Sequence, residues 1–219
     1  MKKSVDVAVI DYGMGNLHSV SKALQHIAPD QTIWVGDDPD TIKNAGRVVY
    51  PGVGAIRDCM GEVRSRGLDQ VIQEVAKTKP LLGICVGMQG MMRHSEENGG
   101  VDCLGLFDDN VEFFTSTFER SGLPSGELKV PHMGWNQVAK THDHPLWNNI
   151  DDGARFYFVH SYYVAAQSCS SAVGVANYGI DIAAMIARDN IFAVQFHPEK
   201  SHKDGLQLLK NFMQWDGVS

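Results

Sequence analysis

Short apolar runs alternate with amphipathic stretches through the first half of the chain. The runs are rich in β-branched residues and are followed by glycine or proline, which is typical of buried strands, whereas the stretches between them repeat apolar residues at helical spacing. The predicted strands cover residues 5–10, 47–55 and 80–84, and the predicted helices cover residues 17–27, 68–77 and 86–95. Strands that alternate with helices favour a parallel sheet with helices on both faces.

The second half of the chain carries closely spaced apolar runs with little helical spacing between them. These runs predict strands, partly antiparallel, at residues 133–139, 155–160, 161–166, 171–177, 181–188 and 191–197. An amphipathic stretch from Asp204 to Gln214 predicts a closing helix. Because no repeat or linker composition interrupts the chain, we expect one α/β domain over residues 1–219, with a central, mostly parallel but mixed sheet flanked by helices.

The composition is that of a soluble globular protein, with 43% hydrophobic and 21% charged residues. The net charge of −7 argues against nucleic acid or an anionic membrane surface as the main partner. The first apolar run is short and contains Asp6, so we expect no signal peptide, and no run approaches the ~18 apolar residues of a membrane helix. Four widely spaced cysteines without a CxxC pair indicate a reducing cytoplasm.

The segment from Gly83 to Gly87 has the form of a nucleophile elbow, in which a strand turns sharply into a helix. Glycines two positions either side of Cys85 avoid collisions of Cβ atoms in so tight a turn. A thiol at the start of a helix favours the thiolate, and the Val86 N–H would serve as an oxyanion donor. Taken alone the pattern is weak, and a buried, unreactive cysteine is its more common meaning, so both interpretations stay open on this motif alone.

A nucleophilic cysteine needs a base, and AVQFHPEKS at residues 193–201 offers one. His197 directly follows a β-rich run, where α/β proteins place functional side chains. Pro198 fixes the backbone, and Glu199 lies two positions on, so its carboxylate can face the same way and hold the imidazole tautomer. A solvated loop histidine beside an unrelated glutamate is the alternative.

Three further polar or glycine-rich segments are candidate sites. The YPGVG loop at residues 50–54 could complete an oxyanion hole with backbone N–H groups, or be a plain Pro-Gly turn. DYGMGN at residues 11–16 fails the dinucleotide fingerprint, because the third glycine would fall at His18. HDH at residues 142–144 lacks further ligands and predicts a solvated loop. We therefore expect neither cofactor nor metal.

Together these motifs resemble the class I, triad-type glutamine amidotransferases, whose fold is flavodoxin-like. Within that superfamily the chain is similar to the glutaminase subunits of imidazole glycerol phosphate synthases over essentially its whole length. The segments that carry the likeness are DYGMGN, PGVG, GICVGMQ, SEE at 95–97, PHMGWN at 131–136, YFVHSY at 157–162 and QFHPEKS at 195–201. DYGMGN and PHMGWN are the subunit-specific ones. Val86 departs from the leucine that is commoner after the nucleophile.

The resemblance implies glutamine hydrolysis and assigns a role to ten residues. The implied catalytic triad is Cys85, His197 and Glu199; the oxyanion region is Gly52, Val53 and Val86; the glutamine contacts are Gln89, Glu97, Ser161 and Tyr162. By the same likeness, Glu97 pairs with the substrate's α-ammonium, and the Ser161–Tyr162 segment meets its α-carboxylate. No cofactor is implied.

The resemblance also implies a partner, a cyclase subunit with a (β/α)₈ barrel that forms a heterodimer with this chain and receives ammonia through a protected channel. Asn16, Trp135 and Lys200 lie in motifs similar to the docking face, although Trp135 could instead be a core aromatic. The family implies weak glutaminase activity until the cyclase binds its ligand. A shift of the PGVG peptide is one physical route, and Gly52→Ala would resist a flipped peptide with positive φ.

Three competing functions remain open. The chain could be another glutaminase of the same class, serving anthranilate, pyridoxal phosphate or guanylate synthesis, but PHMGWN favours the first interpretation. It could be a cysteine peptidase or a DJ-1-like protein on a similar fold, although the His197–Glu199 run favours glutamine hydrolysis. A regulatory binding module with a dead site is disfavoured because all three triad positions hold competent residue types.

Overall fold

The computed structural model describes residues 5–122 and 128–218 of the chain. The strands are β1 (Val7–Ile10), β2 (Ile33–Gly36), β3 (Arg47–Gly52), β4 (Leu81–Cys85), β5 (His94–Ser95), β6 (Val101–Asp102), β7 (Asn110–Phe113), β8 (His132–Gln137), β9 (Ala139–Lys140), β10 (Arg155–His160), β11 (Tyr162–Val164), β12 (Ala172–Asn177), β13 (Asp181–Arg188) and β14 (Ile191–Val194). The helices are α1 (Leu17–Ile27), α2 (Pro39–Asn44), α3 (Ile56–Ser65), α4 (Leu68–Val75), α5 (Val86–Gly90), α6 (Phe114–Arg120) and α7 (His202–Gln214).

The main sheet has eight strands in the order β2-β1-β3-β4-β14-β13-β12-β9. The first five run parallel, and the last three add on in antiparallel fashion. Strands β1, β4 and β14 are buried along their whole length, which explains why they are continuous apolar runs in the sequence. The expected α/β fold with a mostly parallel, mixed sheet is confirmed.

Strand β4 lies between β3 and β14, and this order decides what meets at the carboxyl edge of the sheet. Gly52 pairs with Cys85 at the end of β3 and β4, and Val194 pairs with Ile84 at the end of β14. The segment carrying His197 leaves β14 at the same edge. Residues more than 100 positions apart therefore converge where α/β folds place their ligand sites.

Two smaller sheets complete the fold. Strands β8 and β10 form an antiparallel pair, and β11-β7-β5-β6 form a four-stranded sheet. Most strands expected in the second half of the chain are present, and the runs at 155–160 and 181–188 match β10 and β13 residue for residue. The expected helix at residues 17–27 is likewise α1.

The expected helix over residues 86–95 is wrong beyond Gly90. Helix α5 ends there because the carbonyls that would accept hydrogen bonds within a longer helix accept from the loop at residues 104–105 instead. Leu104 N donates to Gly90 O, and Gly105 N donates to Met92 O, each at 2.9 Å. Residues 94–95 then form β5. Met91 and Met92, which continue the apolar spacing past Gly90, are core residues of the turn that follows α5.

Six further elements before residue 121 were not predicted: β2, α2, α3, β6, β7 and α6. Strand β2 is a half-exposed edge strand of four residues, too short for a clear apolar run. Helix α2 has six residues and depends on its cap, where Asp38 accepts a hydrogen bond of 2.8 Å from Thr41 N. The closing helix α7 also begins earlier than expected, at His202 instead of Asp204. Across the described residues, every helix is too short or too polar to cross a membrane.

Candidate active site

Cys85 occupies a strained turn between β4 and α5. Its backbone has φ 55° and ψ −112°, a left-handed conformation that non-glycine residues rarely adopt. Such strain costs on the order of 1–3 kcal/mol and persists only where the surroundings enforce it, which happens mainly at functional sites. The backbone geometry therefore favours the nucleophile elbow over an ordinary buried cysteine.

The glycines on either side of Cys85 are required by the neighbouring strands. A Cβ at Gly87 would lie 1.9 Å from the carbonyl oxygen of Tyr50 in β3. A Cβ at Gly83 would lie 2.9 Å from the Met91 side chain and 3.0 Å from Cβ of Ala193 in β14. The collisions thus come from packing across the sheet, whereas the sequence suggested collisions within the turn itself.

His197 and Glu199 are joined by a hydrogen bond of 2.9 Å between Nδ1 and Oε1, and their side chains are 2% and 0% exposed. Because a carboxylate only accepts, the Nδ1 hydrogen points to Glu199. Nε2 is then left for the cavity that His197 and Cys85 both line. The solvated-loop alternative for His197 is wrong, since burial against a carboxylate fixes the orientation of its ring.

Electrostatics favour a protonated His197. Burial lowers the pKa of its imidazole, but hydrogen bonding and charge interaction with Cys85 and Glu199 outweigh burial and raise the pKa to about 10. An imidazolium beside the sulfur stabilises a thiolate, which is the reactive form of cysteine. Cys85 therefore shares a cavity with a buried histidine–carboxylate pair, an arrangement suited to nucleophilic catalysis.

Asn16 lies against this group. Its Nδ2 donates to Glu199 Oε1 at 3.3 Å, the same oxygen that holds His197. The other carboxylate oxygen, Oε2, is buried and has no hydrogen-bond partner in the described part of the chain. The sequence suggested only a docking role for Asn16, and its contact with the carboxylate was missed.

A cavity of about 320 Å³ opens beside Cys85. Eight of its lining residues were expected at the site: Val53, Cys85, Val86, Gln89, Glu97, Ser161, Tyr162 and His197. The others were not expected: Gly54, Pro131, Val159 and His160. A volume of this size fits a small metabolite.

Gly52 lies just outside the cavity lining, at the end of β3. A Cβ there would be 2.5 Å from the Tyr12 hydroxyl and 2.9 Å from Gly87 N, and the left-handed φ of this loop belongs to Gly54, at +92°. Tyr12 itself donates to the carbonyl of Pro51 at 2.9 Å. Gly52→Ala would therefore disturb the packing of β3 even if the PGVG peptide never flips. The substitution cannot by itself test whether a peptide flip activates the enzyme.

Gln89 is held in place by two hydrogen bonds that its amide nitrogen donates. Its Nε2 donates to the carbonyl of Tyr162 and to Oε1 of Gln195, both at 3.0 Å. Both Nε2 hydrogens are thereby used, which leaves Oε1 as the atom that can meet a donor on a ligand. Gln195 is fully buried, with Nε2 3.9 Å from the Cys85 sulfur. A lone amide inside the apolar run at residues 191–197 is a signal in the sequence that points to Gln195.

Glu97 lines the cavity from the loop after β5. Its Oε2 accepts a hydrogen bond of 3.0 Å from Ile56 N, which leaves Oε1 for a ligand. Burial raises the pKa of this carboxyl group. A carboxylate in a partly buried cavity attracts a cationic group, such as an ammonium.

The three residues expected at a docking face have different environments. Trp135 is 37% exposed and its ring stacks on His202, at 4.9 Å between centroids, next to Met133, which is 61% exposed. Lys200 is exposed, whereas Asn16 is half-buried. The exposed apolar interpretation of Trp135 is thus correct, and the core interpretation is wrong.

The HDH segment is less solvated than expected. His144 is 6% exposed, packs on Phe192 and Trp215, and accepts at Nδ1 from Leu146 N at 3.1 Å. Its role is to begin the turn at Pro145–Trp147. Within residues 5–122 and 128–218, no three histidine, cysteine or acidic side chains are grouped so as to hold a metal.

Comparisons with known proteins agree with this geometry. A sequence model of the family described as glutamine amidotransferase class-I matches residues 8–215. The protein named imidazole glycerol phosphate synthase subunit HisH of Pseudomonas putida is 59% identical over 96% of this chain and 98% of its own length. The protein named imidazole glycerol phosphate synthase subunit HisH 1 of Pseudomonas aeruginosa is 58% identical over 96% and 97%.

Solved structures share the fold at low sequence identity. The structure of PurLQS from Thermotoga maritima superposes with a TM-score of 0.66 at 16% identity, and covers 97% of this chain and 99% of that chain. Because the identity is so low, this similarity concerns the fold alone.

Proposed function

The chain belongs to the class-I glutamine amidotransferase family, and we propose that it is the glutaminase subunit of an imidazole glycerol phosphate synthase, acting in histidine biosynthesis. The observation that carries the chemistry is that the strained Cys85 lines one cavity with His197, whose ring is hydrogen-bonded to the buried carboxylate of Glu199. The identity of 58–59% to the HisH proteins, over 96% of this chain, supports imidazole glycerol phosphate synthase over the synthases of anthranilate, pyridoxal phosphate or guanylate.

In the proposed reaction, the Cys85 thiolate attacks the side-chain amide carbon of glutamine. His197 gives its proton to the departing nitrogen, ammonia leaves, and a γ-glutamyl thioester remains on the sulfur. His197, now neutral, takes a proton from water, which attacks the thioester and releases glutamate. The raised pKa of His197 supports its role as the initial acid.

Glutamine would fit the cavity with the two charged groups on its α-carbon facing different partners. Glu97 offers a carboxylate oxygen for the α-ammonium, while Ser161 and Tyr162 line the wall proposed for the α-carboxylate. Backbone N–H groups of the Gly52–Val53 loop and of Val86 would stabilise the oxyanion. Gln89 Oε1 is available as a further acceptor.

The partner proposed for this glutaminase is the cyclase subunit of the synthase, a (β/α)₈ barrel. The cyclase would receive the ammonia through a protected channel and make imidazole glycerol phosphate and AICAR. The exposed Met133 and Trp135, with Lys200 and Asn16 beside the triad, support this face as the docking surface of a heterodimer. A single domain over residues 1–219 and a cytoplasmic location complete the proposal.

The decisive test is a glutaminase assay with and without a cyclase subunit and its nucleotide ligand. We expect glutamate release that increases when the liganded cyclase is present. A glutamine-analogue diazoketone should label Cys85 in the complex. Glutamate release that is absent with partner and ligand, or label on another residue, contradicts the proposed function, and recovery of an anthranilate synthase as the partner contradicts the choice of synthase.

A further inference from the structure

Two buried histidines that the triad does not use lie against the cavity. His160 lines the cavity at the end of β10, and His132 starts the paired strand β8. They are 6% and 3% exposed, and His132 Nδ1 lies 2.9 Å from His160 Nε2. Sequence reasoning assigned neither of them a role, although both lie inside motifs that carry the family likeness.

The partners at both ends of this pair fix the direction of every hydrogen bond. At the inner end, His160 Nδ1 lies 2.8 Å from the carbonyl of Tyr162, which only accepts, so Nδ1 carries the hydrogen. His160 Nε2 must then accept from His132 Nδ1.

The contacts of Asn136, at the other end of the pair, independently place the ring hydrogen of His132 on Nδ1. Asn136 accepts from Gln137 N through Oδ1 at 2.8 Å, which turns its Nδ2 towards Asn177 O, at 2.9 Å, and His132 Nε2, at 3.3 Å. An amide nitrogen only donates, so His132 Nε2 accepts and the ring hydrogen lies on Nδ1. The chain thus runs from Asn136 through His132 and His160 to Tyr162 O, which also accepts from Gln89 Nε2 at 3.0 Å.

The far end of the chain is the segment proposed to bind the α-carboxylate. Ser161 O accepts from Phe114 N at 3.2 Å and so faces β7. In an extended strand a residue's own N–H and C=O point to one side and alternate along the chain. The Tyr162 N–H therefore points with its carbonyl towards Gln89, a cavity residue, where it can donate to an anion.

We propose that His132 and His160 are positioning residues for glutamine, which clamp the backbone of Tyr162 through its carbonyl so that the N–H of the same residue is presented to the substrate's α-carboxylate. This inference rests on the proposed glutaminase function. Removing the clamp weakens substrate binding more than it slows the chemistry, because the hydrogen bonds of the two rings join them to each other, to Asn136 and to the Tyr162 carbonyl. Burial keeps both rings neutral by lowering the pKa of His132 to about 4 and that of His160 to about 3.

The first test reads the tautomers directly from long-range ¹H–¹⁵N correlation spectra of the imidazoles in the wild-type protein. We expect His132 and His160 to be protonated at Nδ1. His144 supplies the reference in the same spectrum, because it accepts at Nδ1 and must be protonated at Nε2. Protonation at Nε2 in either His132 or His160 overturns the clamp, whatever reaction the protein catalyses.

The second test measures glutamine KM and kcat for the complex with the cyclase subunit. His132→Phe keeps the ring stacking on Tyr178, at 4.0 Å, but removes the donor, and we expect KM to rise about tenfold with a much smaller change in kcat. His132→Asn places an amide nitrogen near the former Nδ1 and should restore most of the affinity. His144→Phe is the matched control, a buried histidine in an aromatic setting away from the cavity, and should leave KM unchanged.

The outcomes separate the two proposals. An active wild type in which His132→Phe has an unchanged KM, or loses kcat alone, overturns the clamp and leaves the glutaminase intact. A wild type without glutaminase activity overturns the proposed function, while the tautomer spectrum still decides the hydrogen-bond chain.

Discussion

The side-chain amide of Asn16 donates a hydrogen bond of 3.3 Å to Oε1 of Glu199, the same oxygen that holds His197. These residues are 183 positions apart, so the link joins the loop after the first strand to the segment after the last. A residue at the proposed docking face thus contacts the carboxylate that orients the catalytic base.

Asn16→Ala should lower kcat for glutamine hydrolysis about tenfold, because Glu199 loses a donor and holds the imidazole less firmly. Asn16→Asp should be worse, since a second carboxylate beside Glu199 repels it. Steady-state glutaminase kinetics check the order of the two variants. Synthesis driven by added ammonia should stay near wild type for Asn16→Ala, and a parallel fall there would show that the residue acts through docking alone.

Cys85→Ala should abolish glutamine-dependent synthesis and leave synthesis from added ammonia largely intact, because only the nucleophile is removed. Glu199→Gln should cause a smaller loss in kcat, since it removes orientation and charge but keeps the sulfur. Both activities are measured on the same complex. Loss of the ammonia-driven reaction in Cys85→Ala would mean that the residue is structural.

Gly52→Ala should destabilise the protein by about 1–3 kcal/mol, because the added methyl group meets the Tyr12 hydroxyl and the backbone of Gly87. Combining it with Tyr12→Phe should recover part of that loss, since one of the colliding atoms is removed. Urea unfolding of the single and double variants gives the coupling energy.

Gly61→Ala is the control for that series. Gly61 lies inside α3 and has no neighbour within 4 Å of an added Cβ, so alanine should stabilise the protein by about 0.5–1 kcal/mol. Equal effects at Gly52 and Gly61 would argue against the packing explanation.

Stability should fall as the pH drops below about 6.5. Burial lowers the pKa of His132, His144 and His160 to about 4, about 4 and about 3, while in the unfolded chain each titrates near 6.5. Protons therefore bind the unfolded state first, and at pH 5 each histidine costs on the order of 2 kcal/mol, from about 1.5 pH units at 1.36 kcal/mol each. Urea unfolding at pH 7 and pH 5 measures the loss, which His144→Phe should reduce.

His197 should make the protein less stable as the pH rises, which is opposite to the effect of the three histidines above. Its pKa is raised to about 10 in the folded protein, chiefly by Cys85 and then by Glu199 against the effect of burial. The stabilisation that His197 gives to the folded state is therefore complete below about pH 6.5 and is lost as the pH rises towards 10. Unfolding between pH 7 and pH 9.5 should show a decline in the wild type that is absent in His197→Gln; an unchanged decline would contradict the raised pKa.

The sequence alone determined the features that depend on neighbours along the chain. Apolar runs predicted four of the five parallel strands, with β2 as the exception, and the residues of α1 could be predicted because its amphipathic spacing is unbroken. The elbow at Cys85 and the His197–Glu199 pair were also recognisable, since each is a local arrangement of a few residues. Where structure depends on distant capping, as at the end of α5, the pattern failed.

Only the tertiary structure decided which side chains enclose the site. Gln89 meets Gln195 across 106 positions, and His132 meets His160 across 28, because β4 lies beside β14 and β8 beside β10. Local periodicity carries no information about strand order, since that order is set by how all the apolar faces bury one another at once. Short segments of the sequence therefore identify the candidate catalytic residues. The cavity proposed to hold glutamine depends on the order of the strands in the sheet, which brings those segments together.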